Sequence, residues 1–186
     1  NFIMSKLETN TIDTVSGTTN LVIGSTNSST VTFESGSPTG HMYPAFEAKR
    51  SSAQTLSHDT ETKVAVDVEV FDTAGAYDAS TNYRFTPQTA GKYYIYAQAV
   101  GETAASQLKR YSLIIKRNGS NYKYMSNYFT NNEAYINNIF IGAVIDFNGS
   151  SDYVELFAKI EYASSGTVKI DGGVSGPTFG GYRIGA

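Results

Sequence analysis

The chain has 186 residues, which is enough for one domain of ordinary size and a modest extension. Its formal net charge of −3 favours neither nucleic acid nor an anionic membrane as a partner, and no apolar run approaches the length of a membrane span. The absence of cysteine excludes disulfide frameworks, thiol catalysis and cysteine-ligated metals. Residues 1–4 lack the basic end and long apolar stretch of a signal peptide, so we expect none there.

The first part of the chain differs in composition from the rest. The first 40 residues contain 16 Ser or Thr and four charged residues, and every tyrosine lies at or after Tyr43. Turn-forming residues separate three short β-prone pieces, at 11–15, 20–23 and 30–33. A ribbon of that size is marginal in water alone, which leaves a disordered leader or a stem in which several chains wrap together. We predict a stem or anchor segment over 1–43 and a globular domain over 44–186.

The domain carries strand signals in chain order. Residues 63–71 alternate, and four valines are predicted to face the core of a half-buried strand: Val64, Val66, Val68 and Val70. Asn118-Gly119 is a strong hairpin signal. Further strands are predicted at 93–100, 111–116, 122–129, 136–147, 153–162, 167–170 and 178–184. Many short strands with Gly and Asn turns, and no helical periodicity, indicate an all-β sandwich or jelly roll.

The predicted strand at 136–147 is apolar on both faces, since Ile139 and Ile141 alternate with Phe140 and Val144. Such a strand must face both the core and something else. The cluster of Tyr93, Tyr94 and Tyr96 adds more aromatic surface than one thin sandwich can hide. Exposed apolar surface of this kind usually marks an interface, and the alternative is an unusually aromatic monomer core.

Five blocks of the domain keep a distinctive order and spacing. They are 44–48 (PAFEA), 70–72 (VFD) with 77–78 (YD), 84–87 (RFTP) with 91–94 (GKYY), 152–156 (DYVEL), and 179–184 (FGGYRI). Together they resemble the complement globular-head branch of the tumour-necrosis-factor jelly-roll superfamily, although Ser151 stands where that family usually has glycine. The resemblance spans about 44–186. It implies an antiparallel ten-stranded jelly-roll sandwich that forms a trimer about a threefold axis, with an aromatic-rich sheet facing inward.

Two sets of side chains are predicted to make contacts outside the protomer. The trimer interface is expected to contain Phe46, Tyr94, Tyr96, Ile139, Ile141 and Tyr182. A surface for binding other molecules is expected at Tyr122, Tyr124, Tyr128 and Tyr135, which lie in an asparagine-rich stretch. Tyrosine with asparagine is typical of adaptable binding surfaces, but packing between subunits explains these residues equally well.

The sequence offers no persuasive catalytic or metal site. Only two histidines exist, His41 and His58, and the adjacent pair His58-Asp59 does not provide the spatial relay that a nucleophile needs. Asp67 and Glu69 are predicted on one solvent face of one strand, unlike a glycosidase pair. Asp171-Gly172-Gly173 lacks the further acids of a calcium loop and is interpreted as a turn. We therefore predict no enzyme activity, no catalytic residue, no cofactor and no metal.

The biological context rests on the leader. Residues 5–19 are similar to the amino-terminal segments of bacteriophage fibre and appendage proteins. This resemblance implies a non-enzymatic trimeric virion structural protein, either a short fibre or a capsid or tail decoration protein. Its partners would be itself, other virion proteins through residues 1–43 and a host surface polysaccharide, with no nucleic acid and no membrane insertion. The alternatives are a secreted complement-like binding module and a glycan-acting appendage enzyme.

Overall fold

The computed structural model describes residues 44–164 and 167–185. The predicted stem, with its three β-prone pieces, lies outside the described residues, and so does His41. Within the described ranges the chain forms thirteen strands and one 3-10 turn. These are β1 (Ala45–Lys49), β2 (Gln54–Leu56), β3 (Thr62–Lys63), β4 (Val68–Asp72), β5 (Tyr77–Asp78), β6 (Arg84–Phe85), β7 (Gly91–Thr103), β8 (Leu108–Arg117), β9 (Ser120–Tyr128), β10 (Ile136–Phe147), β11 (Val154–Tyr162), β12 (Val168–Ile170), the turn Gly173–Ser175 and β13 (Thr178–Gly185).

The strands form two antiparallel sheets packed face to face. Sheet A has the order β2-β12-β7-β13-β1-β4, and β10 pairs with the other side of β7 along its whole length. Sheet B has the order β5-β6-β11-β8-β9, with β3 also paired to β11. Eight of the described strands have five or more residues and five have two or three, against the ten strands expected. The predicted all-β antiparallel jelly roll is confirmed.

Strand positions follow the sequence pattern closely, with one exception. Each strand predicted from residue 93 onward overlaps an observed strand, and β10 has the predicted bounds. The prediction of one strand over 63–71 is wrong. Val64 and Val66 are fully buried, but Val70 is 51% exposed. The reason is that the chain leaves sheet B after β3 and joins sheet A at β4, so one alternation does not run through both.

The core between the sheets is rich in aromatic rings. Phe46 stacks on Phe85 with ring centroids 4.1 Å apart and meets Phe179 edge-on at 5.2 Å. Tyr93 packs edge-on against Phe147 at 5.1 Å. All five side chains are at most 2% exposed. Each such burial contributes about 1.5–3 kcal/mol, so this cluster fixes the relative position of the two sheets and of their outer faces.

The predicted hairpin at Asn118-Gly119 is tied to the start of β11 by a buried carboxylate. Both turn residues have positive φ, 50° and 78°, as a tight two-residue hairpin turn requires. Asp152 is 8% exposed and accepts hydrogen bonds from Asn118 Nδ2 at 2.7 Å, Arg117 at 2.8 Å and the Asn148 amide at 2.9 Å. The hydrogen bonds from Asn118 and Arg117 lower the pKa of this carboxyl to about 2. Ser151 has no positive φ, so glycine is not required there.

The two ends of the sandwich carry different parts of the chain. Pro44 lies at the Asp152 end, where its carbonyl accepts a hydrogen bond from the Arg183 amide at 3.1 Å. The loops at the opposite end are joined by backbone hydrogen bonds, including Arg50 to Pro177 at 3.3 Å and Gly173 to Arg50 at 3.0 Å. In the part of the chain that the structure describes, no helix has the length and apolar character of a membrane span.

Candidate functional site

The outer face of sheet A is aromatic at its centre. In β7, residues that point into the core alternate with residues that point outward, which places Tyr94 and Tyr96 on the outer face. The strand register sets Val144 of β10 and Tyr182 of β13 on either side of Tyr94. Phe140 follows on the same face of β10 and is 57% exposed. We call Tyr94, Tyr96, Phe140, Val144 and Tyr182 the aromatic face.

Two glycines allow these tyrosines to lie flat against the sheet. Gly142 is paired with Tyr96 and Gly180 lies on the other side of Tyr96. A Cβ at Gly142 would collide with the Tyr94 hydroxyl, and one at Gly180 would come within 2.5 Å of the Tyr96 ring. The Tyr94 ring lies 6.1 Å from Tyr96, with 26° between their planes. The glycines therefore make room for a smooth, ring-covered surface instead of a row of projecting side chains.

One carboxylate borders this surface on the neighbouring strand β1. Glu47 of β1 is paired with Gly180 on one side and with Phe71 of β4 on the other. Its Oε2 accepts a hydrogen bond of 2.7 Å from the Tyr96 hydroxyl. Burial, together with the adjacent carboxylate, raises the pKa of Tyr96. The Tyr96 hydroxyl is thus a fixed donor to Glu47 at ordinary pH.

Ion pairs lie at the two ends of this face. At one end Lys92 faces Asp146 across the β7–β10 ladder, with 4.0 Å between Nζ and Oδ2. At the other end Lys169 pairs with Glu102 at 3.2 Å. The Tyr135 hydroxyl also donates to Glu102 at 2.6 Å. An apolar centre with a polar rim is the usual anatomy of a protein interface.

The outer face of sheet B has the opposite character. It carries a network of ion pairs: Lys63–Glu155, Arg110–Asp59, Arg110–Glu161 at 3.2 Å, Lys116–Glu61 at 2.7 Å and Lys159–Asp59 at 3.2 Å. Its rings have polar or charged partners: Lys116 Nζ lies 4.3 Å from the Phe157 centroid, the Arg110 guanidinium lies 5.8 Å from the Tyr128 ring, and the Tyr124 hydroxyl donates to Ser112 Oγ. A face on which opposite charges are matched and rings lie beside polar or charged groups is suited to contact with water.

Comparison with known proteins identifies the fold. No protein-family model matches the chain, and no curated protein does so either. The globular domain of the zebrafish complement 1qA protein aligns with 76% of this chain and 97% of its own, with 19% identity and a TM-score of 0.52. Murine APRIL aligns with 75% of this chain and 98% of its own, with 11% identity and a TM-score of 0.52. The fold is the jelly roll that both of these proteins share. At such identities the similarity establishes the fold alone, and this fold serves many functions.

Within this jelly roll, the six expected interface residues lie on two different faces. Tyr94, Tyr96 and Tyr182 are outward and partly exposed. Phe46, Ile139 and Ile141 are at most 2% exposed and lie in the core of their own chain, so they do not contribute to the outer surface. On β10 it is Phe140 and Val144 that point outward, the latter 48% exposed. The sequence did not distinguish the two faces of β10 because both are apolar.

The four tyrosines expected to bind other molecules are exposed by 41–63% but do not form one surface. Tyr122, Tyr124 and Tyr128 lie on β9, and Tyr135 lies in the loop before β10 beside the rim of the aromatic face. Three of their hydroxyls donate within the chain: Tyr122 to the Val144 carbonyl at 2.9 Å, Tyr124 to Ser112 Oγ at 3.1 Å, and Tyr135 to Glu102. The Tyr128 ring lies 5.8 Å from the Arg110 guanidinium.

The residues considered for catalysis have structural partners. The His58 ring packs edge-on against Tyr162 at 4.4 Å, and Asp59 is held by Arg110 and Lys159. Hydrogen bonds from Ser51 lower the pKa of Asp67 against the opposing effect of burial, which is the larger single influence. Asp171 lies 3.6 Å from Lys169. Within residues 44–164 and 167–185, no group of three His, Cys, Asp or Glu side chains could hold a metal ion.

Proposed function

We propose that this protein is a non-enzymatic assembly and binding module that forms a homotrimer through the aromatic face. The observation that carries the proposal is the contrast between the two outer faces. Sheet B is covered by matched ion pairs, whereas the centre of sheet A presents rings and one carboxylate. Apolar surface rimmed by charge is retained in proteins mainly where another molecule covers it.

Covering this face would contribute substantially to assembly. Phe140 alone has 57% of its surface exposed, which corresponds to about 110 Å² for a ring that buries about 200 Å². At about 25 cal/mol per Å², burying it contributes about 3 kcal/mol per protomer. Three such contacts in a closed ring offset much of the entropy lost on association.

A threefold ring requires two different surfaces on each protomer, because its interfaces are heterologous. The second surface in this proposal is the adjacent side of β9, where Tyr122 is 46% and Met125 is 41% exposed. These residues lie next to β10, as shown by the hydrogen bond from Tyr122 to the Val144 carbonyl. In the proposed trimer this side of one protomer covers the aromatic face of the next.

The test of self-association is the solution mass of the full chain by light scattering. The expected mass is about three times 20.1 kDa. Phe140→Lys is expected to reduce it to that of a single chain, because the change places a charge in the centre of the contact. Tyr128→Lys is the matched control, since Tyr128 is 63% exposed on sheet B and lies outside the proposed contact. A single-chain mass for the unaltered protein would overturn the proposal.

The biological setting proposed for this trimer is a bacteriophage particle. Residues 1–43 would attach to capsid or tail proteins, and the similarity of residues 5–19 to fibre leaders supports this role. Because Pro44 lies at the Asp152 end of the sandwich, the opposite loops are free to meet a host polysaccharide. A chain lacking residues 1–43 is expected to remain trimeric and to lose binding to fibre-depleted particles. Loss of trimerisation instead would place the assembly contacts in the leader.

A secreted complement-like binding module is the second candidate, suggested by the likeness to the globular domain of the zebrafish complement 1qA protein. Both candidates share the trimeric head and differ in what residues 1–43 do. Binding of the full chain to phage particles supports the first candidate. A full chain that is trimeric but does not bind any particle component supports the second.

A further inference from the structure

Glu47 is the carboxylate that borders the aromatic face on β1, next to β13. Lys49 follows on the same face of β1 and is exposed. Tyr96 donates a single neutral hydrogen bond to Glu47. Among the described residues, no basic side chain forms an ion pair with Glu47. Tyr94 and Tyr182 flank the site along the neighbouring strands. A partner that buried this carboxylate under apolar groups alone would pay a heavy desolvation cost.

Lys123 of a second copy is a candidate ion-pair partner for the Glu47 carboxylate. In β9, Lys123 and Met125 pair with Ile115 and Leu113, whose side chains lie in the core. Paired residues share a face, so Lys123 and Met125 also point to the core side of sheet B. They are nevertheless exposed, because sheet A ends at β10 and does not extend over them. We call Tyr122, Lys123 and Met125 the β9 edge.

The β9 edge is anchored beside the aromatic face of its own chain. Tyr122 donates to the Val144 carbonyl at 2.9 Å, and Asn127 Nδ2 donates to Asn137 Oδ1 at 2.8 Å. These contacts hold β9 against β10 and fix where Lys123 projects. Within the described residues, Lys123 forms no ion pair, unlike Lys116 on the neighbouring strand, which pairs with Glu61 at 2.7 Å. With respect to residues 44–164 and 167–185, the β9 edge therefore presents one cation that forms no ion pair, between two apolar side chains.

We propose that Lys123 of one protomer forms an ion pair with Glu47 of the next, and that this pair sets the register in which the β9 edge docks on the aromatic face. The proposal rests on the proposed trimer and identifies its specificity-determining contact. The occupant of the face is a second copy of this chain, and the argument for it is charge complementarity within two otherwise apolar surfaces. Ring closure repeats the pair three times, so an error in register is penalised at every interface.

Charge reversal in the full chain tests the pairing. Glu47→Lys and Lys123→Glu are each expected to weaken association at least about a hundredfold in sedimentation velocity over a dilution series, because like charges then meet at every interface. The double variant is expected to return to within about tenfold of the unaltered protein, since the pair is restored with reversed polarity. Combining Glu47→Lys with Lys109→Glu is the matched control. It has the same net charge as the double variant and is expected to show no recovery.

The outcomes separate the pairing from the trimer itself. If the protein without substitutions is monomeric at every concentration, the proposed function and this inference are both overturned. A trimeric chain in which Lys123→Glu changes nothing, or in which the Lys109→Glu combination recovers as well, overturns the pairing and leaves the trimer standing. If Glu47→Lys fails to fold by circular dichroism, Glu47→Gln replaces it. If Glu47→Gln associates equally weakly with and without Lys123→Glu, the pair is supported. A further loss of affinity when Lys123→Glu is added would refute it.

Discussion

Replacing Asp152 by alanine gives a direct test of how the Asp152 end of the jelly roll is held together. The carboxylate accepts three hydrogen bonds, one from a guanidinium, and is 8% exposed. A hydrogen bond to a charged group contributes about 1.5–3 kcal/mol, but water can reach the released donors at this loop. Breaking a well-buried ion pair costs about 3–5 kcal/mol, so we expect a loss near the lower end, about 3 kcal/mol.

The assay is urea unfolding followed by circular dichroism at fixed protein concentration, because association adds to the apparent stability. With a slope of about 2 kcal/mol per M, the midpoint for Asp152→Ala should fall by about 1.5 M. Asp146→Ala is the matched control. The Asp146 carboxylate and Lys92 Nζ are 4.0 Å apart in an exposed pair, so this substitution should change the free energy of unfolding by less than about 0.5 kcal/mol. Equal effects of the two substitutions would refute the role given to Asp152.

Two further predictions concern the same carboxylate and the glycines of the aromatic face. The pKa of Asp152 is about 2 in the folded chain, below its ordinary value of 3.8, so its stabilisation is complete above about pH 4 and is lost as pH falls through 2. The stability difference between the unaltered chain and Asp152→Asn, measured by urea unfolding, should therefore shrink between pH 5 and pH 2, and a constant difference would contradict this. Gly142→Ala should displace the Tyr94 ring and weaken association about tenfold in sedimentation velocity, whereas Gly185→Ala, where the added Cβ meets nothing within 4 Å, should not.

The sequence predicted the strands well because this fold uses long antiparallel strands punctuated by specific turns. Asn118-Gly119 adopts the positive φ angles that its residue types favour, and β10 ends just before Asn148-Gly149 as expected. The prediction of one strand over 63–71 failed because the chain passes from sheet B to sheet A within it, so that Val64 and Val66 are buried whereas Val70 is exposed. Alternation of apolar and polar residues indicates which face of a strand is buried. It does not indicate that the chain moves from one sheet to the other.

The candidate site was harder to predict because its residues are distinguished by orientation and not by type. Ile141 and Phe140 are both apolar neighbours on β10, yet one is buried and the other is 57% exposed. A usable signal was present in Gly142, since a glycine within a strand often marks the close approach of another group, here the Tyr94 ring. The role of Glu47 depends on pairing between β1 and β13, which are far apart in sequence and carry no mutual signal.

The position of β13 within sheet A has a consequence for biosynthesis. β13 is an interior strand, lying between β7 and β1, and it brings Tyr182 opposite Ala45 from the start of the described domain. Until residues 178–185 have left the ribosome, β1 has no partner on that side and the sheet is divided into two parts. Folding therefore depends on contacts between distant parts of the chain, which are slow to form. Copies of this chain should thus become able to pair only once residues 178–185 have left the ribosome, because the outer face of sheet A is incomplete before then.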